Sequence, residues 1–508
     1  MNFRLVAKYL GRFCIAIGLL MVPSMLWSIY FAIRLDDTAA SAELHALAAF
    51  GMSIATSVIL GATLCYLGRD ADARLYHREA LGLVGIGWLV AAGLGALPYV
   101  YVGMMDPVSA YFESMSGFTT TGSSVLAAAD FVETPPSIMF WRSFTHWLGG
   151  MGIIVLFIAV LPYLGAGGKM MFKSESPGPD PRGLRPRIKD TAAILYIIYL
   201  GLTVAETVAL MCAKMNLYEA LCQTFGTLAT GGFSTRAASI AGFDSVAVDV
   251  IIIFFMVCAG GNFALYFAML RGDWRAPWKD TEWRVYMAIL VVSTLAVTFV
   301  LMGGSGVYPM APDAPPETGS PSFGSALRHG CFQVVSIMTT TGFCTANTDL
   351  WPPFCRMLLV VLMFIGGCAG STGGGLKVVR IVMLLKMAYW RLESTFRPKT
   401  IRAIRVSGLI VDEPVQRMVY GFFVLYMLWF AVGILFMSLL GLPFQSALTS
   451  VAATLNNIGP GLEQVGATMN YAQVPWVGKA FLSLCMVLGR LELFSILVLF
   501  VPAFWRRG

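Results

Sequence analysis

The chain has 508 residues, 57% of them hydrophobic and only 12% charged, with 35 Lys and Arg against 28 Asp and Glu for a formal net charge of +7. A mean hydropathy of +0.73 excludes an ordinary soluble enzyme of this length and predicts a multi-span membrane protein. The 10 cysteines lie in or beside apolar runs without CxxC spacing, and the 4 histidines stand apart, so neither a disulfide framework nor a metal cluster is expected.

Runs long enough for a hydrocarbon core of about 30 Å fall at roughly 13–33, 46–67, 80–103, 138–163, 191–213, 246–270, 284–306, 355–390, 417–441 and 476–503. They predict ten crossings. The first run exceeds the apolar core of a secretory signal and is read as a retained span. With the N-terminus inside, the segments near 1–12, 68–79, 164–190, 271–284, 376–417 and 503–508 become cytoplasmic. These hold most of the 35 basic residues but fewer than half of the 28 acids, which is the sidedness that Lys and Arg impose on short loops. Both termini are therefore expected in the cytoplasm.

Four polar segments interrupt the apolar pattern: SGFTTTGSS from Ser116, GTLATGGFST from Gly226, SIMTTTGFCT from Ser336 and ATLNNIGPG from Ala453. Their pivotal glycines, Gly122, Gly232, Gly342 and Gly459, recur at intervals of 110, 110 and 117 residues. Four copies of one unit predict a pseudo-fourfold assembly. Asp106 followed by Pro107 starts a helix before the first segment, and Asn216 stands at the same distance before the second. Pro443 takes that part in the fourth copy, while the third begins near Ser322 to Ser325.

A helix of about 12 residues reaches only about 18 Å, so each short helix enters the membrane and the chain must return. Non-helical backbone at that depth is tolerated only where it is buried in protein or lines a wet cavity. The negative end of each helix then faces the cavity and favours a cation. Glycine allows consecutive carbonyls to turn toward one axis, and carbonyl rings replace an ion's hydration shell.

These segments, above all ATGGFST from Ala229 and the TTTG strings ending at Gly122 and Gly342, resemble the Trk/Ktr/HKT superfamily of potassium transporters, and within it the bacterial TrkH/TrkG-type subunit. The resemblance covers the whole chain. It implies an all-α membrane protein with four M1-P-M2 pore-loop repeats in pseudo-fourfold arrangement around a central pore, preceded by two extra transmembrane helices. The corresponding division is 1–79 for the two leading helices, then repeats over 80–190, 191–283, 284–415 (with a broken M2 and an intramembrane gating loop) and 416–508. The implied selectivity filter is Thr120, Thr121 and Gly122, Thr230, Gly231 and Gly232, Thr340, Thr341 and Gly342, and Asn457, Ile458 and Gly459. K⁺, the transported ion, would be bound by the backbone carbonyls of Thr121, Gly122, Gly231, Gly232, Thr341, Gly342, Ile458 and Gly459. The fourth copy is the most divergent, which leaves its register open. Related plant transporters with sodium transport carry serine at the first filter position, so Gly122 favours potassium.

The stretch from Cys355 to Trp390 exceeds one crossing and is interrupted by Gly366 to Gly375. Such a run breaks a helix at mid-membrane depth and resembles the family's intramembrane loop under the filter; Gly370, Ser371, Thr372, Gly373, Gly374 and Gly375 are assigned to the gate. Gly374-Gly375-Leu376-Lys377 lacks the Gly-Lys-Ser/Thr of a phosphate-binding loop, so no nucleotide site is expected in this chain. Arg490, about 13 residues into the last run, costs about 2.5–3.5 kcal/mol or more to insert. It matches the family's pore arginine, an electrostatic barrier that contacts the loop. Glu492 does not share the helix face of Arg490.

Glu206 is read as a polar anchor hydrogen-bonded between helices, and the acids Asp244, Asp313, Glu317 and Asp349 as solvated loop residues. The resemblance further implies a homodimer in the lipid of the bacterial inner membrane, seated on cytoplasmic nucleotide-binding RCK subunits of the TrkA type. The basic stretches Lys169 to Lys189 and Lys377 to Arg417 offer such a face. Nothing points to nucleic acid. A gated potassium uptake pore is the leading reading, an H⁺- or Na⁺-coupled symporter the alternative, and a membrane enzyme lacks the convergent acids and ligands it would need.

Overall fold

The computed structural model describes residues 2–71, 77–160, 188–303, 321–398 and 404–505. Asp313, Glu317 and nearly all of the Lys169 to Lys189 stretch lie outside them. Helices α1 (Phe3–Leu20) and α2 (Val22–Arg34), which Pro23 separates, lead to α3 (Asp37–Leu67). A side chain at Gly11 or Gly61 would collide with the facing helix backbone, so these glycines set the close approach of α1 and α3 that drives helix association in lipid. Buried Glu43 of α3 accepts hydrogen bonds from Ser28 Oγ at 2.9 Å and from Ser137 N and Oγ at 3.1 and 2.5 Å. It thereby ties the leading helices to the first of the four units.

That first unit runs through α4 (His77–Tyr101), a short α5 (Pro107–Phe118) and α6 (Pro136–Val160). Asp106 caps α5 through Val108 N and Ser109 N at 3.0 and 3.2 Å; the Ser109 side chain foremost, and then these backbone bonds, hold its carboxyl below the ordinary aspartate value. The second unit is α7 (Ile188–Cys212), α8 (Leu217–Leu228) capped by Asn216, α9 (Val246–Ala259) and α10 (Phe263–Leu270). The third is α11 (Thr281–Met302), α12 (Phe323–Met338) capped by Ser322, α13 (Pro353–Met363) and α14 (Val378–Phe396). A two-residue hairpin, β1 (Arg405–Val406) against β2 (Leu409–Ile410), precedes the fourth unit. That unit comprises α15 (Glu413–Leu439), α16 (Phe444–Leu455) after Pro443, and α17 (Trp476–Arg490).

Straight crossings over 246–270 and 476–503 are not what forms. The chain bends by 95° between α9 and α10, and by 118° between α17 and Phe494–Phe500. Among the described residues six helical spans, with α1 and α2 counted as one, are long and apolar enough to cross a membrane, or up to eight if each bent pair is one span. At the first bend Gly260 and Gly261 end α9, and the side chain of Asn262 caps α10. At the second, Glu492 and Leu493 adopt φ of 57° and 53°, a conformation costly for residues with a Cβ. The 353–396 stretch breaks as the glycine run predicts. Three of the four units thus carry an interrupted last helix, whereas α6 runs unbroken to Val160.

Candidate ion site and the loop beneath it

The four short helices α5, α8, α12 and α16 end at Phe118, Leu228, Met338 and Leu455, and each is followed by the same backbone. Thr120, Thr230, Thr340 and Asn457 take φ of 52°, 55°, 61° and 55°; two residues on, Gly122, Gly232, Gly342 and Gly459 take 86°, 77°, 79° and 103°. Asn457 therefore stands where Thr120 does, and Ile458 where Thr121 does.

A Cβ on Gly122 would strike the carbonyl oxygen of Gly231; one on Gly232 would strike that of Thr341; one on Gly342, that of Ile458. A Cβ on Gly459 would lie 2.8 Å from that of Thr121. These contacts pass from each unit to the next and close on themselves. They form a ring in which every missing side chain makes room for a neighbour's carbonyl. Among the described residues the carbonyls of Thr121, Gly231, Thr341 and Ile458 accept no hydrogen bond from protein, although all four residues are buried or nearly so. Buried carbonyls without donors are uncommon; a ring of them at four helix C-termini provides negative partial charge to a cation.

The Gly459 carbonyl departs from the expected ligand set. It accepts from Ser123 Oγ at 2.9 Å and Tyr471 OH at 3.0 Å, so both its lone pairs are engaged. Asn457 Nδ2 donates to Thr121 Oγ1 at 2.9 Å and to Met486 O at 2.8 Å, which anchors the divergent copy. Thr119 and Thr121 pair through their hydroxyls at 2.8 Å, as do Thr339 and Thr341. His146, unassigned from sequence, supports the second segment from behind. Its Nε2 accepts from Phe233 N at 3.2 Å, so Nδ1 carries the proton donated to Gly117 O at 2.9 Å.

The glycine run lies against the ends of these helices. Thr372 Oγ1 donates to Leu228 O at 2.8 Å, and Gly374 N donates to Thr340 Oγ1 at 2.7 Å. A side chain at Gly374 would press on Asn456 O. Ser371 N donates to Cys368 O at 3.2 Å and the Gly370 carbonyl accepts from Phe263 N at 3.3 Å, while Gly375 takes φ of 67°. Arg490, 4% exposed, donates to Thr372 O at 2.7 Å and to Gly149 O at 3.1 Å. It bridges this loop to α6. Glu492 pairs with Arg380 at 2.6 Å.

Glu282 is a residue that the sequence did not single out. Buried in α11, its Oε1 accepts from Ala369 N at 2.8 Å and Val379 N at 3.0 Å, at the two shoulders of the loop. Its acidity near the start of an apolar run was the available signal. Glu282→Ala is expected to cost about 2–4 kcal/mol by orphaning two buried donors, whereas Glu282→Gln retains the accepting oxygen and should denature close to the unaltered protein. Thermal denaturation in detergent compares them. Glu206 differs from its expected role as an anchor: its carboxyl is wholly buried near Thr227, and neither oxygen has a well-formed hydrogen bond.

Residues 47–507 match the TrkH family of cation transport proteins. The chain is 38% identical over 511 residues to the Trk system potassium uptake protein TrkH of Salmonella typhimurium, with all of both chains covered. It is 30% identical over 511 residues to the Trk system potassium uptake protein TrkG of Escherichia coli, covering 99% of each. The crystal structure of the potassium transporter TrkH from Vibrio parahaemolyticus covers all of both chains at 35% identity and a TM-score of 0.84. The fold is therefore the all-α membrane fold of four units about an axis, and the chain, an integral membrane transporter and not an enzyme, belongs to the TrkH family of cation transport proteins.

Proposed function

We propose that the chain takes potassium into the cell through a gated, channel-like pore in the cytoplasmic membrane, with both termini inside. The observation that carries this reading is the closed ring of unpaired carbonyls from Thr121, Gly231, Thr341 and Ile458. Carbonyl dipoles of this kind select cations by replacing water. The filter comprises Thr120 to Gly122, Thr230 to Gly232, Thr340 to Gly342 and Asn457 to Gly459, with the two leading helices over 1–79 and the repeats over 80–190, 191–283, 284–415 and 416–508. Gly370 to Gly375 with Arg490 form the gate. The relatives' printed names place them in Trk systems, which supports association with other Trk components; the proposed assembly is a homodimer seated on TrkA-type RCK subunits.

Flux into proteoliposomes carrying the purified chain tests the reading. Uptake with K⁺ is expected to exceed that with Na⁺, and choline should not enter, with no second ion gradient needed. Uptake that stops unless H⁺ or Na⁺ runs inward would replace the pore with a symporter.

A further inference from the structure

The charged groups behind the ring are not fourfold. Nine residues before the pivotal glycine the units carry Glu113, Gln223, Gln333 and Ser450; twenty residues after it they carry Arg142, Ile252, Leu362 and Lys479. All eight are buried. Only the first unit places an acid and a base together: Arg142 Nε donates to Glu113 Oε1 at 2.6 Å, with side chains 3% and 0% exposed. In the fourth, Lys479 turns instead to Ser109 Oγ at 2.9 Å.

The pair lies in a chain of contacts that crosses from one unit to the next. Glu113 Oε1 also accepts from Ser124 Oγ at 2.9 Å, and Oε2 from Val125 N at 2.9 Å; these residues follow Gly122. Arg142 Nη1 donates to Ser234 O at 3.0 Å, and its guanidinium lies 3.5 Å from the centre of the Phe233 ring; these follow Gly232. One turn along α6, His146 holds Phe233 N. In the second unit Gln223 occupies the place of Glu113 but donates, through Nε2, to Ser234 Oγ and Thr235 Oγ1 at 3.1 and 3.3 Å. The fold therefore accommodates an amide there.

Buried ion pairs are poor stabilisers, because desolvation offsets their attraction; where they persist beside neutral counterparts, a role in fixing one geometry is the better account. We propose, resting on the reading of the carbonyl ring as the filter, that the Glu113–Arg142 pair is a selectivity-determining brace that holds the first and second filter segments in register. Arg142 and Glu113 are positioning residues and touch no ion. Three donors converge on Glu113, and an amide with one acceptor oxygen cannot satisfy all three.

The test is K⁺ and Na⁺ uptake in proteoliposomes for Glu113→Gln, Ser124→Ala and the double variant Glu113→Gln/Arg142→Gln, with thermal denaturation of each. The double variant leaves no lone buried charge, and Ser124→Ala leaves the pair intact while removing one contact. The expected result is a fall in the K⁺/Na⁺ ratio of roughly tenfold in the two Glu113 variants, the scale of one charge-assisted hydrogen bond, and a smaller fall in Ser124→Ala, with K⁺ uptake retained. A merely structural pair would lower the denaturation midpoint and reduce both ions' uptake in proportion. An unaltered ratio in folded protein overturns the brace. If the unaltered chain itself shows no preference for K⁺, the filter reading falls and the brace with it.

Discussion

Gly232→Ala is expected to lower discrimination of K⁺ over Na⁺ about tenfold or more, because the new methyl group strikes a carbonyl of the next unit. Gly232 has φ of 77°, where a residue with a Cβ is disfavoured by about 1–2 kcal/mol, and the Cβ would overlap Thr341 O. Something must move. The short helix before it is buried along most of its length, so the displacement falls on the carbonyls. Since about 1.4 kcal/mol is a factor of ten, a cost of that size borne unequally by the two ion-bound forms produces the expected loss. Gly122→Ala or Gly122→Ser should act alike through Gly231 O. Gly459→Ala should be mildest, since its Cβ would stand 2.8 Å from Thr121 O. Reversal potentials in mixed K⁺ and Na⁺ check the order; four equal, parental ratios would remove the carbonyl ring from selectivity.

Arg490→Ala is expected to raise uptake by about tenfold. The guanidinium is a tether, through Thr372 O and Gly149 O, and in the proposed pore it is also a positive charge beneath the carbonyl ring. Two unit charges about 10 Å apart at an effective dielectric of about 20 repel by about 1.7 kcal/mol, enough for that change. Arg490→Lys separates the roles, since lysine retains the charge without the planar fork. Parental flux in lysine assigns closure to charge, while flux matching the alanine variant assigns it to the tether. Unchanged flux in both would remove Arg490 from the gate. Stopped-flow uptake into vesicles of equal protein content reads all three.

The repeated backbone turn was more legible in the sequence than the path of the helices. Four glycines at near-equal spacing, with helix starts at Asp106, Asn216 and Pro443, were sufficient to locate the ring because each feature is local. Gly260-Gly261-Asn262 also held a readable signal, two glycines before a capping residue, but the flanking apolar runs concealed it. The break after Arg490 had none, since Leu491, Glu492 and Leu493 give no hint of a turn and Leu493 takes φ of 53°. Tertiary packing imposes it. Glu113 with Arg142, and Glu282 with Ala369 and Val379, are joined across 29, 87 and 97 residues, and no periodicity links such positions. The engagement of the Gly459 carbonyl by Tyr471 belongs to the same class.

The interrupted last helices have a mechanical consequence. Around the ring the four units repeat one backbone turn, yet among the described residues the third unit lays a glycine-rich segment against the end of the second unit's short helix and against its own Thr340, while α6 of the first is unbroken to Val160. An iris of four blades closes only if all move together, whereas a sliding bolt needs one. On the proposed reading of Gly370 to Gly375 as the gate, a conduit with a fourfold mouth and a one-sided floor is built like the bolt: one segment of one unit, not four, has to shift.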